Sequence, residues 1–305
     1  MNGSTSYEVI ISYMPEKLRE MLAALPREKL SGLMEVRLRV GSGVYFVYSD
    51  KTAYLMKNGQ LSEAYSENVC PVSVSAVRSI VERLCHFSIH SCRKQLTEGY
   101  FVLEGGVRAG VTGAYSYGTE PALCDFTSLN FRISRAVEGC ADDIFSRFFD
   151  KSIIICGGVK SGKTTVLREL CRLTGNFRKV TLVDERNEIS CLMNGAPQNN
   201  VGLMTDVLSN ISRSEGIINA VRTLSPDVIF CDEIASMADA EAIMGGLACG
   251  VKFVVTAHGK SFSDLLKRRE TAMLINSGFF DGAVFLEGGH SPSVVREVRR
   301  LGNAD

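Results

Sequence analysis

Gly157-Gly158-Val159-Lys160-Ser161-Gly162-Lys163-Thr164 meets the spacing G-x-x-x-x-G-K-[ST] without interruption. A triphosphate gives up its water only where many donors converge on it, and glycines let backbone N–H groups come that close. Within this loop Lys163 would bridge the β- and γ-phosphates as a point charge, and the Thr164 hydroxyl would complete the coordination of Mg²⁺. Thr165 reads as a packing or phosphate contact. Downstream, the turn signal Ser225-Pro226-Asp227 precedes an apolar run, Val228-Ile229-Phe230-Cys231, that ends in Asp232-Glu233. Asp232 would sit beside the Mg²⁺ and hold its water ligands, while Glu233 would polarise the attacking water. Paired in this way, the two carboxylates point to ATP hydrolysis rather than to nucleotide binding alone.

These side chains need a sheet to present them. Ser152 to Cys156 is apolar and leads into the loop, and Lys163 to Leu173 carries Val166, Leu167 and Leu170 at helical spacing, so the positive end of a helix would face the phosphates. Val180 to Val183, Val228 to Cys231 and Val251 to Gly259 are continuous apolar runs of the kind buried parallel strands show. The Val180 strand, intervening between the two motifs, marks the RecA-like branch. The Val251 strand carries Thr256 and His258 at its tip, where a γ-phosphate sensor would stand. Ile211 to Leu224 reads as a helix with Ile211, Ile217, Ile218 and Val221 packed inward and Arg222 on a solvated face. The expected architecture is α/β. Residues 139–305 form a doubly wound RecA-like domain with a mostly parallel sheet and helices on both faces. Residues 1–138 form a smaller α+β domain, with helices at Glu16 to Leu25 and Val74 to Leu84 and strands at Val44 to Tyr48, Tyr100 to Leu103 and Val107 to Val111.

The order of loop, acidic box Asp184-Glu185-Arg186-Asn187-Glu188-Ile189, Ala220 to Asp227 and Thr256-Ala257-His258-Gly259 resembles the type II and type IV secretion ATPases. Over almost the whole chain the sequence more closely resembles the stage III sporulation protein AA family. That likeness includes Glu35-Val36-Arg37-Leu38-Arg39-Val40-Gly41, Gly105-Gly106-Val107-Arg108-Ala109-Gly110 and Ser128 to Arg135. The resemblance implies a homo-oligomeric, hexameric ATPase acting in endospore formation. It would work on membrane proteins of a channel between mother cell and forespore, from the mother cell cytoplasm. It also implies that Glu185 and Glu188 order the catalytic water or the Mg²⁺ shell. Carboxylates repel a triphosphate unless a metal or arginine intervenes, so that place suits them better than direct phosphate contact. An ion pair with Arg186 or a neighbour is the structural alternative. By the same resemblance, at least one of Arg108, Arg132 and Arg135 acts on nucleotide, in a neighbouring subunit.

Composition narrows the rivals. Lys plus Arg and Asp plus Glu both number 34. That balance gives no electrostatic footprint for nucleic acid and counts against a nucleic-acid-dependent RecA-like ATPase. A nucleotide-gated assembly factor with scarcely any turnover is the other alternative, and the absence of a Leu-Ser-Gly-Gly signature disfavours a transporter subunit. No apolar run approaches the length of about 20 residues that a membrane helix needs, and Met1 to Ser6 lacks a signal sequence, so a cytoplasmic protein docking peripherally is expected. The 10 cysteines are scattered, as suits reduced thiols. Cys85-His86-Phe87-Ser88-Ile89-His90-Ser91-Cys92 matches no familiar zinc spacing and reads as a helix end, with Cys85 and His86 packing beneath the next loop.

Overall fold

The computed structural model describes residues 3–117, 121–133, 137–288 and 292–301. The chain divides into two compact units, Met1–Arg135 and Ala136–Asp305. In the first, alternation decides the sheet: in β1 (Glu35–Arg39), Val36 and Leu38 face the core while Arg37 and Arg39 face away. The remaining strands are β2 (Gly43–Val47), β3 (Thr52–Leu55), β4 (Leu61–Ser62), β5 (Tyr100–Val102), β6 (Arg108–Tyr117) and β7 (Pro121–Arg132). They form one antiparallel sheet in the order β4-β3-β2-β1-β7-β6-β5. Ser73 caps the helix Val74–Leu84 by accepting from the Ala76 N–H, and Val77, Ile80, Val81 and Leu84 join Phe46 and Phe131 in the core. Cys85 follows them inward, and burial pushes its thiol up to about 12. His86 does not pack beneath a loop: at φ 49° it turns outward and is exposed, because the helix ends at Leu84 and the chain reverses there.

The second unit is built on strands whose two faces are both covered. They are β8 (Ile153–Gly157), β9 (Val180–Asp184), β10 (Leu192–Met193), β11 (Ala196–Pro197), β12 (Thr205–Ser209), β13 (Val228–Cys231), β14 (Lys252–His258), β15 (Gly282–Leu286) and β16 (Val295–Arg300). The main sheet runs β12-β9-β13-β14-β8-β15-β16. It is parallel throughout except for β16, which is antiparallel to β15, while β10 and β11 pair separately. Every residue of β8, β9, β13 and β15 is buried, which is why these segments read as continuous apolar runs. One face packs on the helix Lys163–Thr174 through Val166, Leu167 and Leu170; the other packs on Arg213–Thr223 and Met237–Ala248 through Ile217, Ala220 and Ile243.

Two expectations shift here. The strand standing between β8 and β13 is β14, whereas the Val180 segment, β9, lies on the far side of β13: sequence order and spatial order differ at a crossover. The helix expected from Ile211 begins at Arg213, and Ile218 is 42% exposed rather than packed inward. Ile217 occupies the core position beside it, and adjacent helical residues point about 100° apart.

Candidate active site

The glycine-rich loop leaves β8 at Gly157 and enters its helix at Lys163. Gly162, at φ 90°, holds a left-handed conformation, and a Cβ there would stand 2.2 Å from Ser293 Oγ. At Gly157 a Cβ would stand 2.1 Å from Ser161 Oγ, so the loop closes only on glycine. Gly158, Val159 and Lys160 form its outer bend, with Lys160 at φ 60°. The Lys163 ammonium folds back onto the loop, donating to the carbonyls of Gly157 (3.0 Å) and Gly158 (2.9 Å). Burial pulls its pKa down, against the attraction of Asp232 and Glu233. Ser161 Oγ is buried with no hydrogen-bond partner. Thr165 is half-buried one residue beyond Thr164.

A short relay ties this loop to two strands. Thr164 Oγ1 donates to Asp232 Oδ2 at 2.9 Å, and Thr256 Oγ1 donates to Asp232 Oδ1 at 2.5 Å. The Thr256 hydroxyl also accepts the Glu233 N–H at 2.7 Å, and its carbonyl accepts the Ile234 N–H at 2.9 Å. This anchoring holds Glu233 at φ 52°, in the left-handed region that a side chain resists. Burial raises the Asp232 carboxyl pKa, the two threonine hydroxyls lower it, and the nearby Glu188 and Glu233 carboxylates raise it again. His258 lies opposite Gly157 in the β14–β8 register, half-buried beside the loop.

The acidic box divides its labour. Asp184 is spent on the turn: it accepts the N–H groups of Glu188 (2.9 Å), Ile189 (3.1 Å) and Ser190 (2.8 Å) and the Ser190 hydroxyl (2.7 Å). Glu185 pairs with Arg213 at 2.8 Å, and Arg186 pairs with Glu233 at 3.2 Å. Arg213, 10% exposed in its side chain, also donates to the Asp232 carbonyl at 2.7 Å and lies 3.9 Å from Asp239. Sequence reasoning did not single out Arg213. Its signal was an arginine in the first turn of a helix, against the macrodipole, where only facing carboxylates make a cation favourable.

Lys163, Thr164, Glu185, Glu188, Asp232, Glu233 and His258 thus gather within one unit. Arg108 and Arg132 belong to the other, on adjacent strands and opposite each other in register. Arg108 stacks on Tyr100 at 4.1 Å and Arg132 lies 3.9 Å from Glu35. Arg135 lies outside the described residues. Arg222 is exposed on the helix Arg213–Thr223.

Mg²⁺ and a nucleotide fit these residues. Thr164 and Asp232 offer hard oxygens, and a cation would relieve a carboxylate that burial disfavours. Among the described residues no group of three or more His, Cys, Asp or Glu is arranged to hold a metal.

A model of the family described as sporulation stage III, protein AA matches residues 5–302. The chain belongs to that family. Stage III sporulation protein AA of Bacillus subtilis (strain 168) is 31% identical over 300 residues, covering 95% of this chain and 94% of that one. Protein SEEDLING PLASTID DEVELOPMENT 1 of Arabidopsis thaliana is 30% identical over 152 residues, 48% of this chain and 22% of its own length. Among solved structures, the Yersinia pseudotuberculosis ATPase DotB superposes with a TM-score of 0.58 at 12% identity, covering 89% of this chain and 75% of its own. The pilus retraction motor PilT with bound ADP gives 0.57 at 15% identity, covering 91% and 82%. At such identities the likeness is one of fold, and it agrees with the α/β architecture. Among the described residues no helix is long and apolar enough to cross a membrane.

Proposed function

We propose that this protein hydrolyses ATP with Mg²⁺ and that turnover powers or builds the channel between mother cell and forespore during endospore formation. The relay from Thr164 through Asp232 and Thr256 to the Glu233 backbone carries the hydrolytic reading, because it fixes a cation ligand and a base relative to one phosphate loop. Bound Mg²⁺ supplies positive charge against the phosphate oxygens. Lys163 exchanges the carbonyls of Gly157 and Gly158 for phosphate, and the loop N–H groups with the helix N-terminus take up further charge. Thr164 and Asp232 hold the cation, Glu233 accepts the proton of the attacking water, and His258 reports the γ-phosphate. Glu188 and Glu185 order the surrounding water. Arg108, Arg132 or Arg135 reaches nucleotide in a neighbouring copy of a hexameric ring that docks on membrane proteins from the mother cell cytoplasm.

Mg²⁺-dependent ATP turnover by the purified chain, measured beside Glu233→Gln and with native mass recorded with and without ATP, tests this reading. Turnover lost in the variant while an ATP-dependent oligomer persists supports the motor. Tight ATP binding and a change of mass without turnover moves the reading to a nucleotide-gated assembly factor, which the pairing of Glu233 with Arg186 favours. Equal turnover by the three arginine-to-alanine variants removes the role given to those arginines.

A further inference from the structure

Glu233 and Arg186 reach each other from two rigid backbones. Beneath Arg186, Asp184 fastens three consecutive N–H groups, and Asn187 brackets Leu192 by accepting its N–H (2.5 Å) and donating to its carbonyl (2.9 Å). On the other side Thr256 pins the Glu233 N–H. The side chains meet between them, with Arg186 Nη1 3.2 Å from Glu233 Oε2. The two arginines divide the carboxylates between them: buried Arg213 takes Glu185, one residue before Arg186, and exposed Arg186 takes Glu233. A general base must offer the proton an unshared lone pair and an unneutralised charge, and a guanidinium at hydrogen-bond distance reduces both. With side chains 63% and 45% exposed, this pair is weak and salt-sensitive, whereas the guanidinium of the Arg213–Glu185 pair is buried, at 10% exposed against 35% for Glu185. One contact is built to last and the other to open.

We infer that Arg186 is a latch on Glu233: it keeps the carboxylate idle in the resting protein, and turnover rises when a competing anion draws the guanidinium away. The inference rests on the hydrolytic reading of the site. Arg186 is therefore a positioning residue, acting through Glu233.

The test compares wild type, Arg186→Ala, Arg186→Lys and Glu233→Gln in steady-state ATP hydrolysis at low and at physiological sodium chloride. Removing the guanidinium is expected to raise kcat about fivefold at low salt with KM unchanged, the ceiling for an ion pair this exposed. Arg186→Lys should stay near wild type, and salt should lift wild type toward the alanine variant without lifting that variant. A second readout needs no nucleotide. In thermal melts of Arg186→Ala, Glu233→Ala and the double variant, the two losses should overlap rather than add. If Glu233→Gln abolishes turnover while Arg186→Ala leaves kcat equal to wild type or lower, the latch is wrong and the hydrolytic site stands. Additive melting losses overturn the latch as well. Absence of turnover in wild type and Arg186→Ala alike, with ATP bound, overturns both readings.

Discussion

Replacing Thr256 with valine keeps the shape of a fully buried side chain and deletes one oxygen with two duties. The Glu233 N–H loses its acceptor, and leaving a buried donor unpaired costs about 1–3 kcal/mol. Asp232 loses a donor, and a hydrogen bond to a charged group contributes about 1.5–3 kcal/mol. Together the loss is about 2.5–6 kcal/mol. At roughly 2–4 °C per kcal/mol for a unit of this size, Thr256→Val should melt roughly 5–24 °C below wild type. Thr256→Ser keeps the oxygen and removes a methyl worth about 0.8 kcal/mol, so its melting point should fall by only roughly 2–3 °C. Differential scanning calorimetry of the three nucleotide-free proteins separates the cases, and ATP turnover should fall in the valine variant while largely surviving in the serine one. A valine variant melting with wild type, or a serine variant as unstable as valine, would show that the hydroxyl does not hold the relay together.

Arg213→Ala removes a cation 10% exposed from Asp239, 7% exposed, and from Glu185, 35% exposed, so the cost should fall between the ~1 kcal/mol of an exposed pair and the ~3–5 kcal/mol of a buried one, read as a lower urea midpoint with an unchanged slope. Gly162→Ala puts a Cβ against Ser293 in a left-handed backbone; equilibrium dialysis should show nucleotide binding lost, and retained binding would mean the loop has another open form. Glu169 is held below the ordinary carboxylate range chiefly by Arg172, helped by the Gly139 N–H. Its stabilisation is therefore complete above the unfolded value of about 4.3 and is lost as pH falls through the folded one. Glu169→Gln should flatten the acid limb of the melting curve; an unchanged limb would refute the linkage.

The parallel strands were legible because β8, β9 and β13 are buried on both faces and their residues say so one by one. Periodicity names a face but no partner, so the insertion of β14 between β8 and β13 was not legible, nor that Thr256 would therefore meet Asp232. The same gap hid the division of carboxylates: Glu185 and Glu188 looked alike in sequence, yet one is tied to Arg213 while the other lies near enough to raise Asp232. Asp184 was read only as part of the acidic box, because its acceptance of the N–H groups of Glu188, Ile189 and Ser190 depends on the path of the loop after β9. Ile218 misled because it adjoins Ile217, and of two adjacent apolar residues on a helix only one faces the sheet.

The left-handed backbone of Glu233 places the proposed base where asparagine or glycine would sit with less strain. A search for hardier versions of this protein would be drawn to that position and would find substitutions that fold more readily and do less. If Glu233 is the base proposed above, thermal robustness and turnover are opposed at a single residue, and screening for the first alone would select against the second.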